Sequence, residues 1–156
     1  MRTQATVKTI LVVDDEEILL RTLRRLLQWA GFQTETAQNA EEAITLAKKT
    51  AFDLILCDIK IPGADGFEII RTIRHYSLLN QEICAPVIFM TGSIFESYEN
   101  KVQQFPQAFL LRKPFGAYDL LHCIRNQVSG FSRAIPGRMV NAALPEISPS
   151  SQAAGY

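Results

Sequence analysis

Between residues 9 and 128 two kinds of segment take turns. TILVV (9–13), FQTETA (32–37), FDLILC (52–57), PVIFM (86–90) and AFLL (108–111) are short and rich in β-branched, leucine or aromatic residues. Three of them are continuous apolar runs, the mark of strands covered on both faces. The stretches between them have helical spacing. In EEILLRTLRRLLQWAG, Leu19, Leu23, Leu26, Leu27 and Ala30 share one face, and Gly31 is a suitable stop. NAEEAITLAKKT follows, with Asn39 as its cap and Ala43, Ile44 and Ala47 as its apolar side. ADGFEIIRTIRHY, SIFESYENKVQQF and FGAYDLLHCIRNQV complete the series; in the second of these, Phe95, Tyr98, Val102 and Phe105 recur at helical spacing. The order βαβαβαβαβα predicts an α/β fold, a doubly wound five-stranded parallel sheet with helices on both faces. In such sheets the binding site lies beyond the C-terminal strand ends.

At 156 residues, 47% of them hydrophobic, the chain suffices for one domain with a real core. From Ser129 onward the character changes: three prolines, three glycines and five serines, few charges and no sustained period. The expected organisation is an N-terminal extension over 1–8, a folded domain over 9–129 and a flexible tail or linker over 130–156. Sixteen basic residues balance sixteen acidic ones, so no global field draws the protein to nucleic acid or a membrane surface. No apolar run approaches bilayer length, and MRTQATVKT holds no signal-peptide core. Cys57, Cys84 and Cys123 form no CxxC pair and sit in or beside apolar segments; they read as free thiols in a reducing cytoplasm. His75 and His122 have no partner at ligand spacing and read as structural or solvated.

The strand ends carry the chemistry. The first strand ends in Asp14-Asp15, the third in Asp58, the fourth in Thr91-Gly92-Ser93, and the fifth runs into Arg112-Lys113-Pro114. An acidic first turn of a helix accounts for Glu16 and Glu17, but not for two aspartates at the strand end itself. Three crowded carboxylates raise one another's pKa, and a hard divalent cation such as Mg²⁺ removes that penalty. With a lysine and a threonine hydroxyl beside them, the set suits in-line phosphoryl transfer.

In VVDDEE (12–17), CDIKIPGADG (57–66), FMTGS (89–93) and LRKPF (111–115), the chain resembles the receiver domains of two-component response regulators over residues 9–128. The resemblance implies the flavodoxin-like strand order 2-1-3-4-5 and a phosphorylation-dependent signalling switch. Asp58 is then the phosphoacceptor, served by a histidine kinase or phosphotransfer protein. Asp14, Asp15, Asp58 and the Lys60 carbonyl are the Mg²⁺ site, with Asp14 acting largely through water. Lys113 pairs with the phosphoryl group, Thr91 swings toward it, and the Lys113–Pro114 peptide is cis. Apart from catalysing its own phosphoryl transfer and dephosphorylation, such a domain is no enzyme. Its output is protein binding, through the face of the fourth helix, fifth strand and fifth helix, where Phe95, Tyr98 and Tyr118 stand. That output goes to a downstream protein or to a missing output domain. Direct nucleic-acid binding is not expected, since no helix-turn-helix follows Val128; homodimers through the fourth and fifth helices are common among relatives.

Two features depart from the family pattern. The aromatic residue expected three positions before the lysine is Leu110, and Phe109 points to the opposite face. Before the fifth strand Phe105-Pro106-Gln107 replaces the usual Gly-Ala pair, and Pro106 must break the helix there. Two alternatives share these residues. One is a receiver-fold adaptor that works without phosphorylation. The other is a Mg²⁺-dependent phosphatase with an aspartyl-phosphate intermediate, disfavoured because Lys60 occupies the place of its second acid and no cap domain is present.

Overall fold

The computed structural model describes residues 6–129. The first five residues of the expected extension, and all of the tail expected over 130–156, lie outside the described residues. In chain order the elements begin with β1 (Thr9–Val13), α1 (Glu17–Trp29), β2 (Gln33–Ala37), α2 (Ala40–Lys49) and β3 (Leu54–Asp58). A small hairpin follows, β4 (Lys60–Ile61) and β5 (Ala64–Asp65), then α3 (Gly66–Leu79) and β6 (Val87–Thr91). The last three are α4 (Glu99–Val102), β7 (Ala108–Arg112) and α5 (Ala117–Ser129). The five long strands make one sheet in the order β2-β1-β3-β6-β7, every pair parallel. The expected order is therefore present, with the antiparallel hairpin inserted between β3 and α3.

Alternation along the strands divides the apolar runs into two cores. Ile10, Val12, Leu54, Leu56, Ile88 and Met90 pack against Leu20, Leu23 and Leu27 of α1 and Leu120, Leu121 and Ile124 of α5. Leu11, Val13, Ile55, Cys57, Val87 and Phe89 face the other way, toward Ala43, Phe67, Ile70, Ile73, Val102 and Phe105. Strands β1, β3 and β6 lie inside the sheet and are apolar at every position but one terminal residue each, Thr9, Asp58 and Thr91. The edge strand β2 carries exposed Gln33 and Glu35. Helix α1 is rotated slightly from the face read in the sequence: Leu20 is buried, whereas Leu19 and Leu26 are only partly covered.

Helix ends follow local chemistry. Gly31 sits at φ +93° just past α1, the left-handed conformation glycine tolerates, and its N–H donates to Gln28 O. The Asn39 side chain accepts from Glu42 N–H to start α2, and Lys48 and Lys49 lie in its last turn, where cations suit the helix dipole.

The expected fourth helix over 93–105 is largely absent. Only Glu99–Val102 is helical, and residues 92–98 form a loop. Ser93, Ile94, Phe95, Ser97 and Tyr98 are all modest helix formers, and the Ser93 and Ser97 hydroxyls engage Glu96 N–H and the Glu99 carboxylate instead of supporting a helix. Tyr98, Val102 and Phe105 are still buried, but Phe95 stands almost fully in solvent at 92% exposure. Pro106 closes the segment as expected. Gln107 after it adopts φ +52°, and its carbonyl accepts from Val87 N–H.

The hairpin brings α3 back against the end of β3. A Cβ on Gly66 would lie 2.2 Å from the Asp58 carbonyl oxygen, so no larger residue fits there without moving backbone. Gly92 has nothing within 4 Å of its Cβ position. Gly66→Ala is expected to destabilise the domain by about 1–3 kcal/mol, as overpacking does. Gly92→Ala is expected to stay within about 0.5 kcal/mol. Urea unfolding of the two variants checks the contrast.

Candidate functional site

Each strand-end residue owes its place to the strand beneath it. Asp14 follows β1 and is held by its N–H donating to Ala37 O. Its fully buried carboxylate accepts from Glu16 N–H at 2.9 Å and from Lys113 Nζ at 2.6 Å. Asp58 closes β3, 7% exposed, and accepts from Lys60 N–H at 3.1 Å and from Lys113 Nζ at 2.9 Å. Thr91 closes β6, buried, its hydroxyl oxygen accepting from Ser93 N–H at 3.1 Å. Lys113 lies just past β7 and is anchored by its N–H donating to Thr91 O at 2.7 Å. The Lys113–Pro114 peptide is cis, as the resemblance implied.

Asp14, Asp15 and Asp58 offer carboxylate oxygens within 4.8 Å of one another, with Asp15 on the solvent side. The topology thus brings Asp14, Asp15, Asp58, Thr91 and Lys113 to one end of the sheet. Lys60 brings its backbone there, but its side chain turns away to pair with Glu96. Leu110 and Leu111 pack into opposite cores, and Phe109 is half-exposed.

Sequence reading missed the ring of polar contacts around this site. Glu96 binds Lys60 Nζ and also accepts from the Tyr98 hydroxyl. Arg112, on β7, donates to Ser93 O at 3.2 Å and to Glu99 at 2.5 Å, and Lys101 pairs with Asp65 at 2.9 Å. Lys60–Glu96 and Lys101–Asp65 each join residues 36 apart in sequence, and Arg112–Glu99 joins residues 13 apart. No local pattern announces them.

Burial drives the Asp58 carboxyl above its ordinary range. Hydrogen bonding and charge from Lys113 and the Lys60 N–H oppose that rise, and the Asp14 charge adds to it. For Lys113 burial acts to lower the pKa, but the bonds to Asp14 and Asp58 outweigh it and hold the ammonium charged. The Cys57 thiol is buried and pushed far up, and so is inert.

Three carboxylates on one wall, one of them open to solvent, make an all-oxygen donor set that fits a hard divalent ion retaining several waters. One cation, Lys113, matches two buried carboxylates, so the site holds an excess of negative charge that such an ion would offset.

The family model for the response regulator receiver domain matches residues 10–125. The chain belongs to that family. It is 32% identical over 139 residues to the transcriptional regulatory protein ResD of Bacillus subtilis, a match covering 84% of this chain and 55% of ResD. It is 27% identical over 119 residues to the polar-differentiation response regulator DivK of Brucella anthropi, covering 76% of this chain and 94% of DivK. Among solved structures, the Vibrio cholerae chemotaxis protein CheY4 superposes with a TM-score of 0.70 at 27% identity, over 78% of this chain and 99% of that one. The chain spans only about half the length of several curated relatives that it matches. Residues 10–125 carry the receiver domain of the two-component response regulators. Among the described residues no helix is long and apolar enough to cross a membrane.

The raised Asp58 pKa has a consequence for stability. The folded domain binds the Asp58 proton more tightly than the unfolded chain does. Its contribution is therefore fully favourable below the ordinary value of 3.8 and is lost as pH rises through the folded pKa. Asp58→Asn removes that loss. The variant is expected to have a higher urea midpoint than the parent at pH 7, with the gap narrowing as pH falls toward 3.8. A midpoint that falls at pH 7 would show that the Lys113 contact outweighs burial.

Proposed function

We propose that the protein is a phosphorylation-controlled signalling switch whose phosphoacceptor is Asp58. The observation that carries the reading is the placement of Asp58: buried, at a strand end, 2.9 Å from the Lys113 ammonium, with a carboxylate oxygen within 4.8 Å of oxygens of Asp14 and Asp15. The donor is a phosphohistidine on a histidine kinase or phosphotransfer protein. One Asp58 carboxylate oxygen attacks phosphorus, the P–O bond forms as the P–N bond breaks, and the histidine ring leaves with the electron pair. Asp14, Asp15, Asp58 and the Lys60 carbonyl would hold Mg²⁺, which would supply positive charge to offset that of the transferring group.

The chain's own residues supply the rest. Lys113 keeps its charge because two carboxylates flank it, so it can shift from bridging Asp14 and Asp58 to binding the phosphoryl oxygens. The Thr91 hydroxyl accepts from Ser93 N–H and keeps its own proton to donate. Hydrolysis of the acyl phosphate by water returns the switch to its resting state. Phosphorylation shifts the population between two conformations and so changes a protein-binding surface.

In this reading residues 9–129 are the receiver, working in the cytoplasm, and 130–156 serve as a tail or as a linker to an output domain. The partner downstream is a protein or that domain, not nucleic acid bound directly.

Incubation with a small phosphodonor and Mg²⁺ is expected to add a single phosphate to the intact mass. The adduct should be absent from Asp58→Asn and from a chelator-treated control. Beryllofluoride, a stable stand-in for the phosphoryl group, covers the case of rapid turnover. Failure of both to modify or bind the parent protein would sink this reading. In the same preparation, Mg²⁺ at a hundred times its Kd should stabilise the fold by about 2.7 kcal/mol. Asp15→Asn should reduce that shift.

A further inference from the structure

We propose that Lys60, Glu96 and Tyr98 form a charge-operated latch on the Ser93–Tyr98 loop, opened when a phosphoryl group on Asp58 draws Lys60 away from Glu96. The inference rests on the phosphoacceptor reading and names how that site would be coupled to the rest of the domain.

Two chains of contact leave the site and meet at Glu96. The first starts at Asp58, which accepts from Lys60 N–H at 3.1 Å. The Lys60 ammonium binds one oxygen of Glu96, and the other oxygen accepts from the Tyr98 hydroxyl. The second starts at Thr91, whose hydroxyl oxygen accepts from Ser93 N–H; the Ser93 hydroxyl in turn accepts from Glu96 N–H at 3.3 Å. Tyr98 anchors the far end, its ring buried with its centroid 6.0 Å from that of Phe67. Between these anchors Ile94 and Phe95 are 79% and 92% exposed, so no apolar packing holds them in place.

The charge balance decides where Lys60 goes. In the resting domain Lys113 already contacts Asp58 and Asp14, which leaves Lys60 to Glu96. The phosphoryl group itself carries roughly 1.5 to 2 negative charges and three strong acceptor oxygens, and since the Asp58 carboxylate gives up its own charge on forming the acyl phosphate, the site becomes more negative by about one charge. That change would fall on a residue two positions from Lys60. The Lys60 and Glu96 side chains are 60% and 47% exposed, and an exposed pair typically biases an equilibrium by about fivefold or less. A contact that weak yields to a dianion close by. Losing Lys60 leaves Glu96 uncompensated beside Tyr98 and frees the loop that carries Ile94 and Phe95.

The test is a double-mutant cycle on beryllofluoride binding with Mg²⁺, followed by calorimetry, together with hydrogen exchange of residues 93–98. Glu96→Gln is expected to bind beryllofluoride about two- to fivefold more tightly, because Lys60 is already free. In a Lys60→Met background the same change should have no effect. Exchange in the loop should rise on beryllofluoride binding in the parent and be high beforehand in Glu96→Gln. The latch is overturned if Glu96→Gln leaves affinity unchanged, if its effect persists without Lys60, or if loop exchange ignores the ligand. A parent protein that binds no beryllofluoride overturns the phosphoacceptor reading and the latch with it.

Discussion

The Lys113 ammonium, held between the Asp14 and Asp58 carboxylates, is the contact around which the working end of this domain is arranged. Burying a carboxylate without a partner is expensive, and here two are buried within reach of each other. One cation bridges both and joins the ends of β1 and β3 to the chain leaving β7. The bridge does not cancel the cost, since burial still leaves Asp58 with a raised pKa. The site is therefore not a source of stability. It is a region of excess negative charge, imposed by the strands below it and able to take up a cation.

What the strands contribute is rigidity. The two apolar cores on either side of the sheet meet through β1, β3 and β6, whose residues are buried almost without exception. A packed interior of that kind transmits position, so a carboxylate at a strand end stays where its register places it. Around this fixed floor lies a rim made of a different material. Residues 92–98, α4 and the β4–β5 hairpin are tied together by Lys60–Glu96, Lys101–Asp65 and Arg112–Glu99, each partly open to solvent. Such pairs are weak singly and respond to nearby charge. The domain thus sets a rigid acidic site beside a segment held mainly by electrostatics, the low-stability kind of element on which conformational change draws.

The two departures from the pattern the resemblance implied lie next to that segment, between α4 and the middle of β7. Phe105, where the resemblance implied a Gly-Ala pair nearby, fills the core against Phe67 and Phe89, with the Arg71 and Arg74 guanidinium groups over its ring. Leu110 packs partly buried toward the same core, at the position where the resemblance implied an aromatic residue. With its upper half unwound, the fourth helix buries only Tyr98, Val102 and Phe105 and leaves Ile94 and Phe95 outside. Apolar anchoring has moved toward the bottom of the segment, and polar contacts hold its top.

Most of the architecture could be read along the chain because its causes are local or periodic. Five short strand-forming segments, helical spacings between them, Asn39 as a cap and Gly31 as a stop each act over a few residues. The strand-end residues Asp14, Asp15, Asp58, Thr91 and Lys113 could be read because a parallel sheet brings all its C-terminal strand ends to one edge. The rest depended on distance in space. Helical spacing alone suggested a longer α4, but the spacing of Phe95, Tyr98, Val102 and Phe105 cannot register that Glu96 has a partner in Lys60 or that Ser93 and Ser97 engage nearby polar groups. The need for glycine at position 66 comes from a carbonyl eight residues earlier, brought close only by the hairpin turn. Local propensities decided which elements form. Which charges meet, and so how the rim is held to the floor, was decided by contacts that exist only once the chain has folded.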